Sequence, residues 1–134
     1  LDIRFLKIKD DYTDRNLGIN DDAPKVVAKM IAADVIVMAT PVYFYTMCGQ
    51  MKIMIDRCCA RYTEISNKEF YFIIAAAENS KAMMERTIDG FRGFLDCLEA
   101  PQEKGVVYGV GAWKVGEIKD TPHMKEAYEM GKRI

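Results

Sequence analysis

With a single histidine in 134 residues, several classes of chemistry are hard to build. A Cys-His or Ser-His-Asp constellation has only His123 to draw on, and the first turn of an expected helix makes a surface imidazole the simpler reading. The four cysteines, Cys48, Cys58, Cys59 and Cys97, contain no CxxC pair, so neither zinc nor an iron-sulfur cluster has a ligand motif, and no metal site is expected. Without a secretory signal beside them they read as free thiols. Charge of one sign is also missing: 19 basic and 20 acidic residues leave a net charge of -1, and no basic stripe offers itself to nucleic acid or an anionic membrane. No apolar run approaches the roughly 20 residues of a bilayer span, and nothing has the form of a signal peptide, so a cytoplasmic location is the expectation. A GxGxxG fingerprint is absent too.

What is present fits one compact α/β domain over residues 1–134, half of it apolar and 29% charged. The chain opens on Leu1 inside LDIRFLKIK, an alternating stretch that reads as a strand near 2–8, and an N-terminal piece is expected to precede it. After a turn-rich segment, Asp22 as a cap and Pro24 in the first turn open a helix over about 23–33. VIVMA, 35–39, is the continuous β-branched run of a strand covered on both faces. A second helix follows Gly49, with Met51, Met54, Ile55, Cys58, Cys59 and Tyr62 on its dry stripe and Lys52, Asp56 and Arg57 on the wet side. EFYFIIAAA, 69–77, is another strand, followed by a helix marked by Met84, Ile88, Phe91, Leu95 and Leu98. VVYGVGAW, 106–113, is a glycine-interrupted strand, and Thr121-Pro122 opens a last helix. This alternation demands a mainly parallel sheet with helices on both faces. The acidic pairs Asp10-Asp11 and Asp21-Asp22 read as solvated turns and caps.

In such sheets ligands bind outside the carboxyl ends of the strands. TPVYFYTMCGQ, at the first of these ends, sets three aromatics after a rigid Thr-Pro turn. They either stack against a planar ligand or pack on the next helix or a subunit contact. AAAENS, at the second, has small residues that admit close approach and polar ones suited to capping a helix. GVGAW, at the third, admits close backbone approach or a bulge.

The stretch ADVIVMATPVYFYTMCGQMKIMIDR, 33–57, resembles the corresponding part of flavodoxin-like, NAD(P)H-dependent FMN reductases, above all multimeric flavodoxins and iron-sulfur flavoproteins. The resemblance rests on Asp34, Thr40 to Tyr43, Gly49, Lys52, Asp56 and Arg57, and the element order fits it over 1–132. It implies a three-layer, doubly wound parallel sheet. It implies a flavin site in which Thr40, Pro41, Val42, Tyr43 and Phe44 border the isoalloxazine ring of FMN and Ala76, Ala77 and Glu78 lie near its other side. Tyr45 is left to packing or a neighbouring subunit. The family's first strand, its GSPR-like phosphate loop and its cysteine-rich loop have no counterpart in these residues. The domain is therefore expected to be N-terminally incomplete, the missing strand belonging in the middle of the sheet. Iron-sulfur binding is not carried over.

The resemblance implies an FMN-dependent oxidoreductase passing electrons from NAD(P)H through flavin to a quinone, another flavin, a nitro compound or an iron-sulfur acceptor. No catalytic acid or base of the protein is required, and a homodimer or homotetramer is expected. The alternatives are a non-catalytic flavodoxin-type electron carrier and a phosphoacceptor receiver domain. The receiver would need an aspartate where the chain has Thr40-Pro41.

Overall fold

A computed structural model describes residues 21–134. The strand expected near 2–8 and the Asp10-Asp11 pair lie outside the described residues. From residue 21 the chain runs α1 (Ala23–Ala32), β1 (Val35–Tyr43), β2 (Thr46–Met47), α2 (Gly49–Arg57), β3 (Glu69–Ala75), α3 (Lys81–Leu95), β4 (Gln102–Gly109) and α4 (Pro122–Gly131), with short 3-10 turns at Cys58–Ala60, Tyr62–Glu64 and Glu117–Asp120. The sheet order is β2-β1-β3-β4; β1, β3 and β4 are parallel and β2 folds back antiparallel on β1. A parallel sheet with helical crossovers is what the alternating apolar pattern required.

Register fixes which side chains share a face. Ile36 lies opposite Phe70, Met38 opposite Phe72 and Thr40 opposite Ile74, so the even-numbered residues of β1 and β3 point the same way. On that side they meet Val26 and Val27 of α1, Met51 and Met54 of α2, and Met84, Ile88 and Phe91 of α3 in one continuous core. Phe72 and Phe91, both fully buried, stack with ring centroids 4.8 Å apart, and Phe94 meets Phe70 edge-on at 6.4 Å. The other face is covered by α4, where Met130 joins Tyr71 and Val107, with Val35 and Ile73 partly buried beside them.

Several expectations are corrected. VIVMA is not covered on both faces by the described residues: Val37 is 48% exposed and Ala39 is exposed, because α4 sits over β3 and β4. Arg57 is not on a wet side and Asp21 is not in a solvated turn. The Arg57 guanidinium donates two hydrogen bonds to the Asp21 carboxylate, at 2.5 and 3.2 Å, with both side chains buried, which ties the end of α2 to the start of α1. Asp22 makes no side-chain cap; the Ala23 N–H donates to Asp21 Oδ1 instead. Cys58 is buried but Cys59 is exposed, because α2 ends at Arg57 and the 3-10 turn that follows rotates Cys59 outward. The last strand also lies earlier than its glycine pattern suggested, ending at Gly109.

Candidate functional site

The carboxyl ends of β1, β3 and β4 lie along one edge of the sheet, and three loops leave there. The first is a hairpin that the sequence did not signal. Val42 pairs with Met47 and Tyr43 with Thr46, leaving Phe44 and Tyr45 as a two-residue turn. Both carry positive φ, 52° and 62°, as the tight turn of a right-twisted hairpin demands. Asn-Gly is the usual solution, and an L-residue there costs about 1–2 kcal/mol, so two aromatics in succession are held by something beyond local preference. Phe44 is 99% exposed and Tyr43 is 60% exposed.

Thr40 stands beneath this hairpin. Its hydroxyl is buried, donates to the Pro41 carbonyl at 2.8 Å and accepts the Cys48 N–H at 3.0 Å, which fixes the strand end against the start of α2. The first-turn amides of α2 therefore open toward the same edge as the aromatic turn, carrying the partial positive charge of a helix N-terminus.

The second and third loops are fastened to each other. Ala76 N–H donates to Gly109 O, Ala112 N–H to Ala76 O and Gly111 N–H to Glu78 O, each at 2.9 Å. Gly111 has φ +74°, a conformation that strains any L side chain, and a Cβ there would stand 2.6 Å from Asn79 Oδ1 and have to displace that amide. Glu78 then joins the second loop to the first: Oε1 accepts the Ser80 N–H at 2.8 Å at the mouth of α3, and Oε2 accepts the Tyr45 hydroxyl at 3.3 Å. The Arg86 guanidinium lies 5.8 Å from the centre of the Tyr45 ring.

Of the expected site residues, Tyr43 and Phe44 are exposed, Ala77 is exposed on the adjoining loop, and Val42 and Glu78 are half-buried. Thr40 and Ala76 are buried, so their part is to shape the floor. A cleft of about 1060 Å³ includes Thr40, Pro41 and Tyr43 but runs along the free edge of β1, past Met38, Met51 and Met54. Such core side chains mark a groove along the edge of β1 that carries no strand among the described residues, rather than a shaped ligand pocket.

Other chemistry is sparse. Burial pushes the Cys58 thiol up to about 12, with Asp56 and Cys59 adding, so it is no thiolate nucleophile. At the seam of α3 and β4, Tyr108 donates to Glu85 at 2.5 Å, and Glu85 in turn meets Arg92. Burial, reinforced by Glu85, raises the Tyr108 phenol to about 12, while that hydrogen bond and Arg92 lower the carboxyl of Glu85. His123 faces Glu126 on α4, away from the aromatic turn in sequence and element. Among the described residues no group of three His, Cys, Asp or Glu side chains could hold a metal, and no helix is long and apolar enough to cross a membrane.

Known proteins place this geometry. The family model of NADPH-dependent FMN reductases matches residues 1–110. The FMN-dependent NADH:quinone oxidoreductase 2 of Pseudomonas aeruginosa is 31% identical over 63% of this chain, and the chain spans about half, 51%, of that relative's length. Among solved structures, the Trp repressor binding protein of Bacillus subtilis superposes with a TM-score of 0.72 at 22% identity, covering 83% of this chain and 72% of that one. An FMN-dependent NADH-azoreductase of Bacillus anthracis, solved in complex with FMN, does so with a TM-score of 0.64 at 14% identity, covering 83% and 60%. At these identities the likeness establishes the flavodoxin-like fold. With the family model matched across most of its length, the chain belongs to the NADPH-dependent FMN reductase family.

Proposed function

We propose that the protein is an FMN-dependent oxidoreductase that takes reducing equivalents from NAD(P)H and passes them to a small-molecule acceptor such as a quinone. The observation that carries this reading is the exposed aromatic turn Tyr43-Phe44 at the carboxyl end of β1, hydrogen-bonded through Tyr45 and Glu78 to the loop after β3. The family and the quinone-reducing relative support it.

The residues present suit a flavin ring. Pro41, Val42, Tyr43 and Phe44 offer a rigid apolar and aromatic edge, Ala76 and Ala77 admit close approach, and the buried Thr40 hydroxyl holds the floor in register. When bound, FMN accepts hydride and releases electrons, the chemistry the side chains lack. Stacking on Tyr43 and Phe44 would orient the ring, backbone amides of the hairpin turn and of Ala77 and Glu78 would serve its polar edge, and the aromatics would limit water. No side chain of the chain need transfer a proton.

Residues 1–134 are read as one flavodoxin-like domain. Among the described residues β1 pairs with β3 along one edge from Val35 to Pro41, and its other edge over the same residues carries no strand. A cytoplasmic homodimer or homotetramer accounts for the exposure of Phe44 and Trp113 together.

The test is an absorption spectrum of the full-length protein with FMN, followed by NADPH under anaerobic conditions. Bound flavin bands that bleach within seconds and return with a quinone support the reading; no flavin binding overturns it. Flavin that binds and stays oxidised is the outcome for a flavodoxin-type carrier.

A further inference from the structure

The hairpin turn at Phe44-Tyr45 holds two side chains of one type in opposite states. Phe44 is 99% exposed, whereas Tyr45 is 39% exposed and engaged: its hydroxyl donates to Glu78 Oε2 at 3.3 Å, and Arg86 lies over its ring at 5.8 Å. The other oxygen of Glu78 accepts the Ser80 N–H, so this carboxylate is fixed at the start of α3 before it meets the phenol. The positive φ that the turn demands is costly for both L-residues, and its two-strand ladder is only two pairs long. Met47 anchors the returning strand in the core against α3, and Tyr45 anchors the turn itself to Glu78.

We propose that Tyr45 and Glu78 form a positioning pair that sets the direction in which Phe44 and Tyr43 are presented to the flavin ring. This rests on the flavin reading above. Through the pair, the loops after β1 and β3 move as one unit, which keeps the two borders of the site at a constant spacing. Arg86 reinforces it from the exposed side of α3 by holding the ring rather than the hydroxyl. Tyr45 itself stays off the ligand.

Tyr45→Phe removes only the hydroxyl and keeps the ring under Arg86. In the full-length protein, FMN affinity by fluorescence quenching should weaken about fivefold, the loss of one partly exposed hydrogen bond. The visible flavin bands should shift as the stacking changes, while the thermal midpoint without FMN stays within about 1 °C. In a Phe44→Ala background the same change should cost clearly less, under about twofold, because only Tyr43 is left to be positioned. Affinity within twofold of wild type, or an equal loss with and without Phe44, would overturn the positioning role while leaving the flavin reading intact. Absence of FMN binding by the wild type would overturn both.

Discussion

On one face of the sheet Ile36, Met38, Phe70, Phe72 and Ile74 are at most 8% exposed beneath α1, α2 and α3; on the other, α4 is the helix that covers β3 and β4 among the described residues, and Val37 stays at 48%. The less covered face is apolar too, with Val35, Val37, Ala39 and Ile73, so the difference in burial also reflects what is laid against each side. Burial is a property of the neighbour as much as of the residue. The covered face is a finished core, able to fix the strand ends to a fraction of an ångström, whereas the open face and the free edge of β1 are surface that another segment or subunit would naturally cover.

Substitutions can break or sharpen this contrast. Phe72→Ala removes a ring stacked on Phe91 in the finished core and should cost about 3–5 kcal/mol in denaturant-induced unfolding. Asp21→Ala removes two charge-assisted hydrogen bonds from the buried Arg57 guanidinium and should cost about 2–3 kcal/mol by the same measurement. On the second face, Met130→Ala empties the space against Tyr71 and Gly105 and should cost about 2 kcal/mol, since that satellite core can settle inward. Val37→Thr should change stability by less than about 0.5 kcal/mol if the open face is solvated. A loss as large as that for Met130→Ala would show that the protein in solution covers β1 on both sides.

The seam of α3 and β4 gives a titration check on the covered side. Tyr108 is held neutral in the folded state with its phenol raised to about 12, above the roughly 10 of an unfolded tyrosine. Its contribution is therefore fully present below about pH 10 and is lost as pH rises through about 12. Phenolate absorbance should show a late step near pH 12 that Tyr108→Phe removes, with an earlier step expected if the seam opens.

Much of the fold was legible because its signals are local. Apolar runs at 35–39 and 69–77 announced strands, three- and four-residue spacing announced α1, α2 and α3, and Thr121-Pro122 announced α4. The hairpin was not legible, since Phe44-Tyr45 carries none of the Asn-Gly chemistry that marks a tight turn. Arg57 misled because an arginine reads as wet, whereas it continues the buried row of Met51 and Met54 on α2 and meets Asp21 there. The candidate site divides in the same way. TPVYFY was visible as an unusual strand end, but not that Thr40 turns inward or that Glu78 spends both carboxylate oxygens on internal donors.

By itself, then, the sequence determined the alternation of strands and helices, the parallel sheet that alternation forces, and the edge where a ligand would sit. Those follow from periodicity and turn chemistry, which act over a few residues. Only the tertiary structure decided which aromatic is presented and which is anchored. Tyr45 and Glu78 are 33 positions apart, and Arg57 and Asp21 are 36 apart. A hydrogen bond between such residues depends on strand register and helix docking together, so VIVMATPVYFY specifies that aromatics reach the sheet edge, while the packing of α3 specifies that Tyr45 is held and Phe44 is free.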